Sequence, residues 1–356
     1  MKRINKHIEI VRSNLPGFSS MGLGSSEMIK DVLEKHYRYV GVTTVNNPQD
    51  LEVLVDSKPD LVFLGLKKVP TNKSGLGFSE IVWMSEYLES KGISYTGSNS
   101  TAIALDFNKS DAKQVVKRAG LKTSLYFRAK QSEYLVGDVL PLDFPLFIKP
   151  PNTGGGKGID ADSVARNFDD FERKVQSINQ RFSSDSLVEE YLTGREFSVA
   201  ILETELGKII AMPIELITEK NSQGDRILGQ KIKSDDTEHS IAIVDLLIKK
   251  KVIDLAINVF KALGARDYGR IDIRLDKNGV PNFLEANLIP GIASHSFTSY
   301  FNRACIINES MDYETMLLKI VALGISRADK LNTESLSFND TDILLEPTFK
   351  ALPRLI

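Results

Sequence analysis

The segment best equipped for chemistry is Gly269-Arg270-Ile271-Asp272-Ile273-Arg274-Leu275-Asp276-Lys277-Asn278-Gly279-Val280-Pro281-Asn282-Phe283-Leu284-Glu285-Ala286-Asn287. Residues 270–275 alternate polar and apolar, and so do 283–287, which is the period of half-buried strands. Asn278-Gly279 between them signals a two-residue hairpin loop, because both residue types tolerate positive φ. That loop sets Asp272 opposite Glu285 and Arg270 opposite Asn287, with all four side chains on one face. Carboxylates opposed in this way repel. A divalent cation removes the conflict, and two carboxylates with an amide oxygen suit Mg²⁺ or Mn²⁺, which also take phosphate oxygens. The same spacing fits a charged strand face turned to water, and a bulge at Pro281 would move the register by one.

Three further clusters could meet a phosphorylated ligand. Lys149 ends the apolar run Pro145-Leu146-Phe147-Ile148, where an ammonium either pairs with a phosphate in a cleft or reaches bulk water. Asn152 to Gly158 contains Gly154, Gly155 and Gly156; such a loop can cradle phosphate oxygens on its N–H groups, or serve as a flexible connection. It is not a Walker A motif, since Lys157 is followed by Gly158. Glu189, Glu190 and Glu196 flank strand-like runs, where carboxylates and backbone can bind an adenine amino group and ribose hydroxyls, or face solvent. Gly22-Leu23-Gly24-Ser25-Ser26-Glu27 is weaker, because Glu27 stands where a dinucleotide fingerprint needs its third glycine.

The elements that must position these groups read as α/β (α+β), with short apolar runs alternating with amphipathic stretches. Leu61-Val62-Phe63-Leu64 is a buried strand, followed by a polar loop from Lys67 to Gly77 and a helix from Ser79 to Lys91. Ser98-Asn99-Ser100 opens a helix. Lys109 to Ala119 is another, with Gly120 as its C-cap. Val188-Glu189-Glu190-Tyr191 and Phe197 to Ile201 are strands, and a helix from about Ala242 to Leu263 ends at Gly264. The expected division is a first α/β domain over 1–105, a central domain over 106–192, a C-terminal domain over 193–326 and an extension over 327–356 that packs weakly or on a partner.

Composition excludes several classes. The chain has 356 residues, enough for two or three domains. The 45 basic and 47 acidic residues leave a formal charge of -2, which gives no reason to expect nucleic acid. Apolar runs fall far short of the roughly 18–20 residues of a membrane span, so a cytoplasmic chain is expected. One cysteine, Cys305, excludes an internal disulfide and multi-cysteine zinc sites.

Taken together, these segments resemble the ATP-grasp superfamily, and most closely the D-alanine–D-alanine ligase family. Tyr268-Gly269-Arg270-Ile271-Asp272, Leu284-Glu285-Ala286-Asn287 and Pro290-Gly291-Ile292-Ala293-Ser294-His295-Ser296 carry the likeness. Asp106-Phe107-Asn108-Lys109, Phe147-Ile148-Lys149-Pro150 and the stretch from Val188 to Phe197 support it, over roughly residues 95–300. The resemblance implies three domains, with ATP held between the central and C-terminal ones. It implies that Lys109 and Lys149 bind phosphates together with the loop of Gly154, Gly155 and Gly156. Glu189, the backbone of Glu190 and Leu192, and Glu196 would hold adenine and ribose. Asp272, Glu285 and Asn287 would bind two Mg²⁺ (or Mn²⁺) ions. Arg270 and the Gly291 N–H would stabilise an oxyanion, Ser296 and the Phe297 N–H would receive the acceptor's carboxylate, and Lys231 would close over the γ-phosphate. The implied activity is ATP-dependent joining of a carboxylate to an amine through an acyl phosphate, with an amino acid as acceptor and a homodimer as the assembly. Loss of Arg270, Asp272, Glu285 or Asn287 would mark a nucleotide-binding module without chemistry; all four are present.

The chain departs from the family pattern around the donor. Glycines replace the serines of the glycine loop, and Ile232 replaces the tyrosine after the mobile-loop lysine. The stretch Ser19 to Ser26 holds no glutamate to anchor a donor ammonium, and the acidic Gly-Glu-Asp-Gly segment is absent. A carboxylate donor other than D-alanine is therefore expected, with the housekeeping ligase as the alternative.

Overall fold

A computed structural model of the chain describes residues 2–71, 81–293, 299–309 and 311–339, with side chains described up to residue 329. It begins with alternating β1 (Ile4–Arg12), α1 (Leu23–Leu33), β2 (Tyr37–Thr44), α2 (Pro48–Asp56) and β3 (Leu61–Leu64). The strands pair in parallel in the order β2-β1-β3. All four residues of β3 are buried, as expected for a parallel strand covered on both faces. β4 (Lys68–Pro70) pairs antiparallel with β5 (Ile81–Trp83), which leads into α3 (Met84–Ser90). The helix expected from Ser79 thus starts only at Met84. The β-branched and aromatic run Ile81-Val82-Trp83 pairs as a strand instead, and residues 72–80 lie outside the described residues.

α4 (Ser100–Phe107) and α5 (Lys109–Arg118) follow. Asn99 caps α4, while the Asn108 side chain accepts the N–H groups of Ser110 and Asp111 to start α5. Gly120 follows α5 at φ +74°, the left-handed conformation of a helix stop. β6 (Tyr126–Ala129), β7 (Leu146–Lys149), β8 (Val164–Ala165), α6 (Phe168–Phe182) and β9 (Ser186–Glu190) come next. Their strands form an antiparallel sheet in the order β6-β9-β7-β8. Phe171, Val175 and Ile178 of α6 pack on Ala129, Leu146, Ile148 and Val188, a small core separate from the rest.

The remaining elements are β10 (Glu196–Glu203), β11 (Ile209–Ile217), α7 (Gln230–Asp235), β12 (His239–Ala242), α8 (Leu246–Ala262), β13 (Tyr268–Leu275), β14 (Pro281–Asn287), α9 (Tyr300–Glu309) and α10 (Tyr313–Asn339). The five strands form an antiparallel sheet in the order β12-β11-β10-β13-β14. α8 starts later than Ala242, which pairs with Ile214 as the end of β12; Asp245 supplies the cap that fixes the helix start. The apolar face of α8 shares a core with β13, β14 and α3 to α5. On the other side, α9 and α10 share a core with β1, β3 and α1.

Two expected boundaries cut through elements. The division at 105 falls inside α4. That at 327 falls inside α10, where the Arg327 guanidinium donates to Asp267 and to the Tyr95 carbonyl. No helix among the described residues is long and apolar enough to cross a membrane.

Candidate functional site

β13 and β14 place Asp272 opposite Glu285 and Arg270 opposite Asn287, as expected, but through a different loop. The Gly279 N–H donates to the Asp276 carbonyl, and the Asp276 N–H to the Val280 carbonyl. The Asp276 carboxylate accepts the N–H groups of Asn278 and Val280 at 2.8 and 2.9 Å, which stabilises this wider loop. Gly279 has φ +73°, and Asn278 is not in the left-handed region. Leu275 therefore faces Pro281 and Ile273 faces Phe283, one residue out of the register that a two-residue loop sets. Leu284 is the extra residue of a bulge that restores the expected pairs. Bulges re-aim side chains, and Leu284 and Glu285 both line the cleft described next.

The cleft lies between the β6-β9-β7-β8 sheet and the edge of the five-stranded sheet. Its lining combines apolar side chains, Phe147, Ile159, Leu192, Leu228 and Leu284, with charged ones, Lys149, Glu189, Glu196, Lys233, Asp272, Arg274 and Glu285. Glu190 also borders it, although its carboxylate is taken up by the Leu125 N–H at 2.8 Å.

Ion pairs hold the charged groups in place. Glu189 sits 2.6 Å from Lys113 and 2.8 Å from Lys149, and accepts from Ser124 at 2.9 Å. This carboxylate thus holds Lys113 and Lys149 while lining the cleft. Burial alone would raise its pKa, but Lys113 and Lys149 bring it down to about 2. Burial pushes Lys113 down to about 8 against the pull of Glu189. For Lys149, burial opposes the charge, yet Glu189, Glu285 and Glu196 outweigh it and hold its pKa above the ordinary lysine value. Lys109 lies 3.6 Å from Glu285, also donates to the Thr153 carbonyl, and is lowered by burial. Glu285 resists burial through Lys109, Lys149, Lys233 and Arg270 and stands at about 2. Glu196 is raised by burial although Arg274 lies 3.1 Å away.

Arg270 forms a two-pronged pair with Asp272, Nε and Nη2 each at 2.9 Å, and Ser198 donates to the same carboxylate at 2.7 Å. The Asn287 amide oxygen accepts from Lys67 at 3.2 Å. Asp272, Glu285 and Asn287 thus present hard oxygen donors beside one cleft, and Glu285 is held ionised, which fits a divalent cation. The Gly291 N–H donates to no group among the described residues.

Two placements differ from expectation. Lys231 is exposed and does not line the cleft, whereas Lys233 does. Residues two apart on a helix point about 200° apart, so only one of them can face inward. Gly154, Gly155 and Gly156 do not line the cleft either. Instead, a Cβ at Gly156 would lie 2.9 Å from the Gln230 nitrogen, and one at Gly229 would lie 2.5 Å from the Ile159 carbonyl. These two glycines let the loop lie backbone to backbone against the start of α7. Ser296 and Phe297 lie outside the described residues.

Lys113, Lys233, Arg274 and Ser124 escaped the reading of the sequence. Lys113 stands one turn after Lys109, so the shared helix face was the available signal. Arg274 similarly continues the face of Arg270 and Asp272 along β13.

Comparison with known proteins agrees with this geometry. The family model described as D-ala D-ala ligase C-terminus matches residues 115–322. The D-alanine–D-alanine ligase of Hydrogenovibrio crunogenus is 29% identical over 241 residues, 67% of this chain and 72% of that protein. That of Bordetella pertussis is 30% identical over 270 residues, 75% of this chain and 81% of that protein. The fold is that of the Bacillus anthracis D-alanine–D-alanine ligase complexed with ATP, at TM-score 0.68 and 20% identity, covering 92% of this chain and 99% of that one. The matched region runs from α5 into α10 and carries the whole cleft; the chain belongs to the D-alanine–D-alanine ligase family of ATP-grasp enzymes, ATP-dependent ligases that form carbon–nitrogen bonds.

Proposed function

We propose that this enzyme binds ATP in the cleft between the two sheets and uses it to join a carboxylate other than D-alanine to an amino-acid amine. The observation that carries the nucleotide reading is a single cleft lined both by the apolar side chains of Phe147, Ile159 and Leu192 and by the charged ones of Lys149, Lys233 and Glu285. Adenine suits the apolar side chains, and a triphosphate suits the lysines. Asp272, Glu285 and Asn287 would hold two Mg²⁺ ions, which supply charge neutralisation and orientation of phosphate oxygens. The central unit acts as a lid, consistent with its separate core.

In the first half-reaction a donor carboxylate oxygen attacks the γ-phosphorus and ADP leaves, giving an acyl phosphate. In the second, the amine nitrogen attacks the acyl carbon, the C–O bond to phosphate breaks, and the amine proton passes to solvent. Lys149, Lys109 and Lys233 offset charge on the transferring phosphoryl group. Arg270 and the Gly291 N–H meet the oxyanion that develops on the acyl oxygen. Contact between the glycine loop and α7 excludes water from the acyl phosphate.

The donor assignment rests on the N-terminal segment. The Ser20 carbonyl lies 3.4 Å from the position of a Cβ on Gly291. No Asp or Glu occurs from Ser13 to Ser26 to pair with a donor ammonium. The same reading places the enzyme in the cytoplasm as a homodimer. The test is MgATP-dependent phosphate release, screened over pairs of amino acids and small carboxylic acids, with light scattering for the assembly. Full turnover should require both substrates. Preferred synthesis of D-alanyl-D-alanine would overturn the donor assignment.

A further inference from the structure

One aromatic ring touches three cations of the site. Tyr300, the first residue of α9, lies with its centroid 5.3 Å from the Arg270 guanidinium, 6.0 Å from the Lys233 ammonium and 6.0 Å from the Arg303 guanidinium. The ring is buried, at 2% exposure. Its hydroxyl donates to the buried Glu238 at 2.5 Å. Glu238 belongs to the same short stretch as Lys233, and this stretch is fixed to α9 a second time by Asp236 and Arg303 at 2.9 Å.

Arg270 is therefore held on two sides. Asp272 engages Nε and Nη2, and the Tyr300 ring supports the guanidinium electrostatically. Nε and one N–H of Nη2 are thereby engaged, out of the five N–H groups of a guanidinium. Lys233 faces the cleft from α7, whose first residues lie against the glycine loop. One residue thus touches both the arginine assigned to the oxyanion and the segment that covers the nucleotide.

We propose that Tyr300 is a positioning residue that couples the seating of the α7 segment over the cleft to the orientation of Arg270 in the bond-forming half-reaction. This rests on the reading given above. A guanidinium free to swing leaves phosphoryl transfer intact but slows amine attack, so the acyl phosphate is lost to water. ADP then forms without amide.

The experiment measures ADP and amide in parallel, with the best donor–acceptor pair, for wild type, Y300M and Y300F. Y300M keeps volume and removes the aromatic face; Y300F keeps the face and removes the bond to Glu238. Wild type should give ADP and amide in a ratio near one. In Y300M, amide formation should fall about tenfold and the ratio should rise to about three or more, consistent with weakened oxyanion stabilisation. In Y300F the ratio should stay near one while KM for ATP rises about two- to fivefold, the scale of a lost hydrogen bond. A folded Y300M that keeps a ratio near one, with both rates falling together, overturns the proposal. So does a Y300F with unchanged KM for ATP, and that variant decides the matter if Y300M does not fold. Absence of paired-substrate turnover in wild type would instead overturn the underlying functional reading.

Discussion

Lys149 at the end of β7 and Glu189 on the adjoining β9 meet at 2.8 Å, with 5% and 2% of their side chains exposed. Lys113 reaches the same carboxylate from α5 at 2.6 Å. One anion thus balances two cations beneath the cleft, and Lys149 also lines that cleft.

Removing the anion should be costly. Glu189→Gln leaves two buried ammonium groups facing each other, and breaking a buried pair costs about 3–5 kcal/mol. Lys149→Met should raise KM for ATP about tenfold or more, through loss of a charge-assisted phosphate contact. Denaturant melts and steady-state kinetics read the two effects. A Glu189→Gln protein within about 1 kcal/mol of wild type would show that the triad is not closely coupled.

The acid limb of stability should follow Glu189 and Glu285, both held at about 2. Their folded values lie below the unfolded glutamate value of about 4.3, so their contribution is present above that value. It is lost as pH falls through the folded value near 2. Urea denaturation from pH 5 down to 2 should show a steep loss, shallower in Glu285→Gln.

Lys113 has the opposite consequence. With its folded pKa near 8 and an unfolded value of about 10.4, the unfolded chain binds more protons between these limits. Its contribution therefore rises with pH across that window. Lys113→Met should remove this rise, read as the difference between the variant and wild-type stability curves from pH 7.5 to 10.5.

The two lysines of α7 should behave differently. Lys233→Ala removes a cation from the cleft and should raise KM for ATP about tenfold. Lys231→Ala removes an exposed one and should change it less than about twofold. Equal effects would mean that α7 turns when nucleotide binds.

The hairpin loop offers a backbone test. Gly279→Ala forces a side chain into positive φ and should destabilise by about 1–2 kcal/mol. Asn278→Ala should stay within about 0.5 kcal/mol, as for a surface substitution away from special geometry. Thermal melts of the two variants distinguish this wider loop from a two-residue one, in which both substitutions would be costly.

Much of the site was legible because it is local. Alternation along β13 and β14 put Arg270, Asp272, Glu285 and Asn287 on one face, and period-two geometry needs no information from elsewhere. The stop at Gly120 equally bounded α5 from its own residues. The pairing of Asp272 with Glu285 came out as expected only because two local details offset each other: the loop around Gly279 is wider, and Leu284 bulges. Either alone would have moved the register by one.

What only the tertiary structure decided is the partner of each charge. Glu189 and Lys113 are 76 positions apart in sequence, and their 2.6 Å contact depends on α5 packing beside β9. Lys233 lines the cleft and Lys231 does not, while the glycine loop lies against the start of α7 at Gln230. Arg327 lies inside α10 and reaches Asp267 and the Tyr95 carbonyl, partners 60 and 232 positions away. Strand periodicity and helix caps are properties of neighbouring residues. Burial, ion pairing and the choice of inward face depend on which distant segment arrives to cover them.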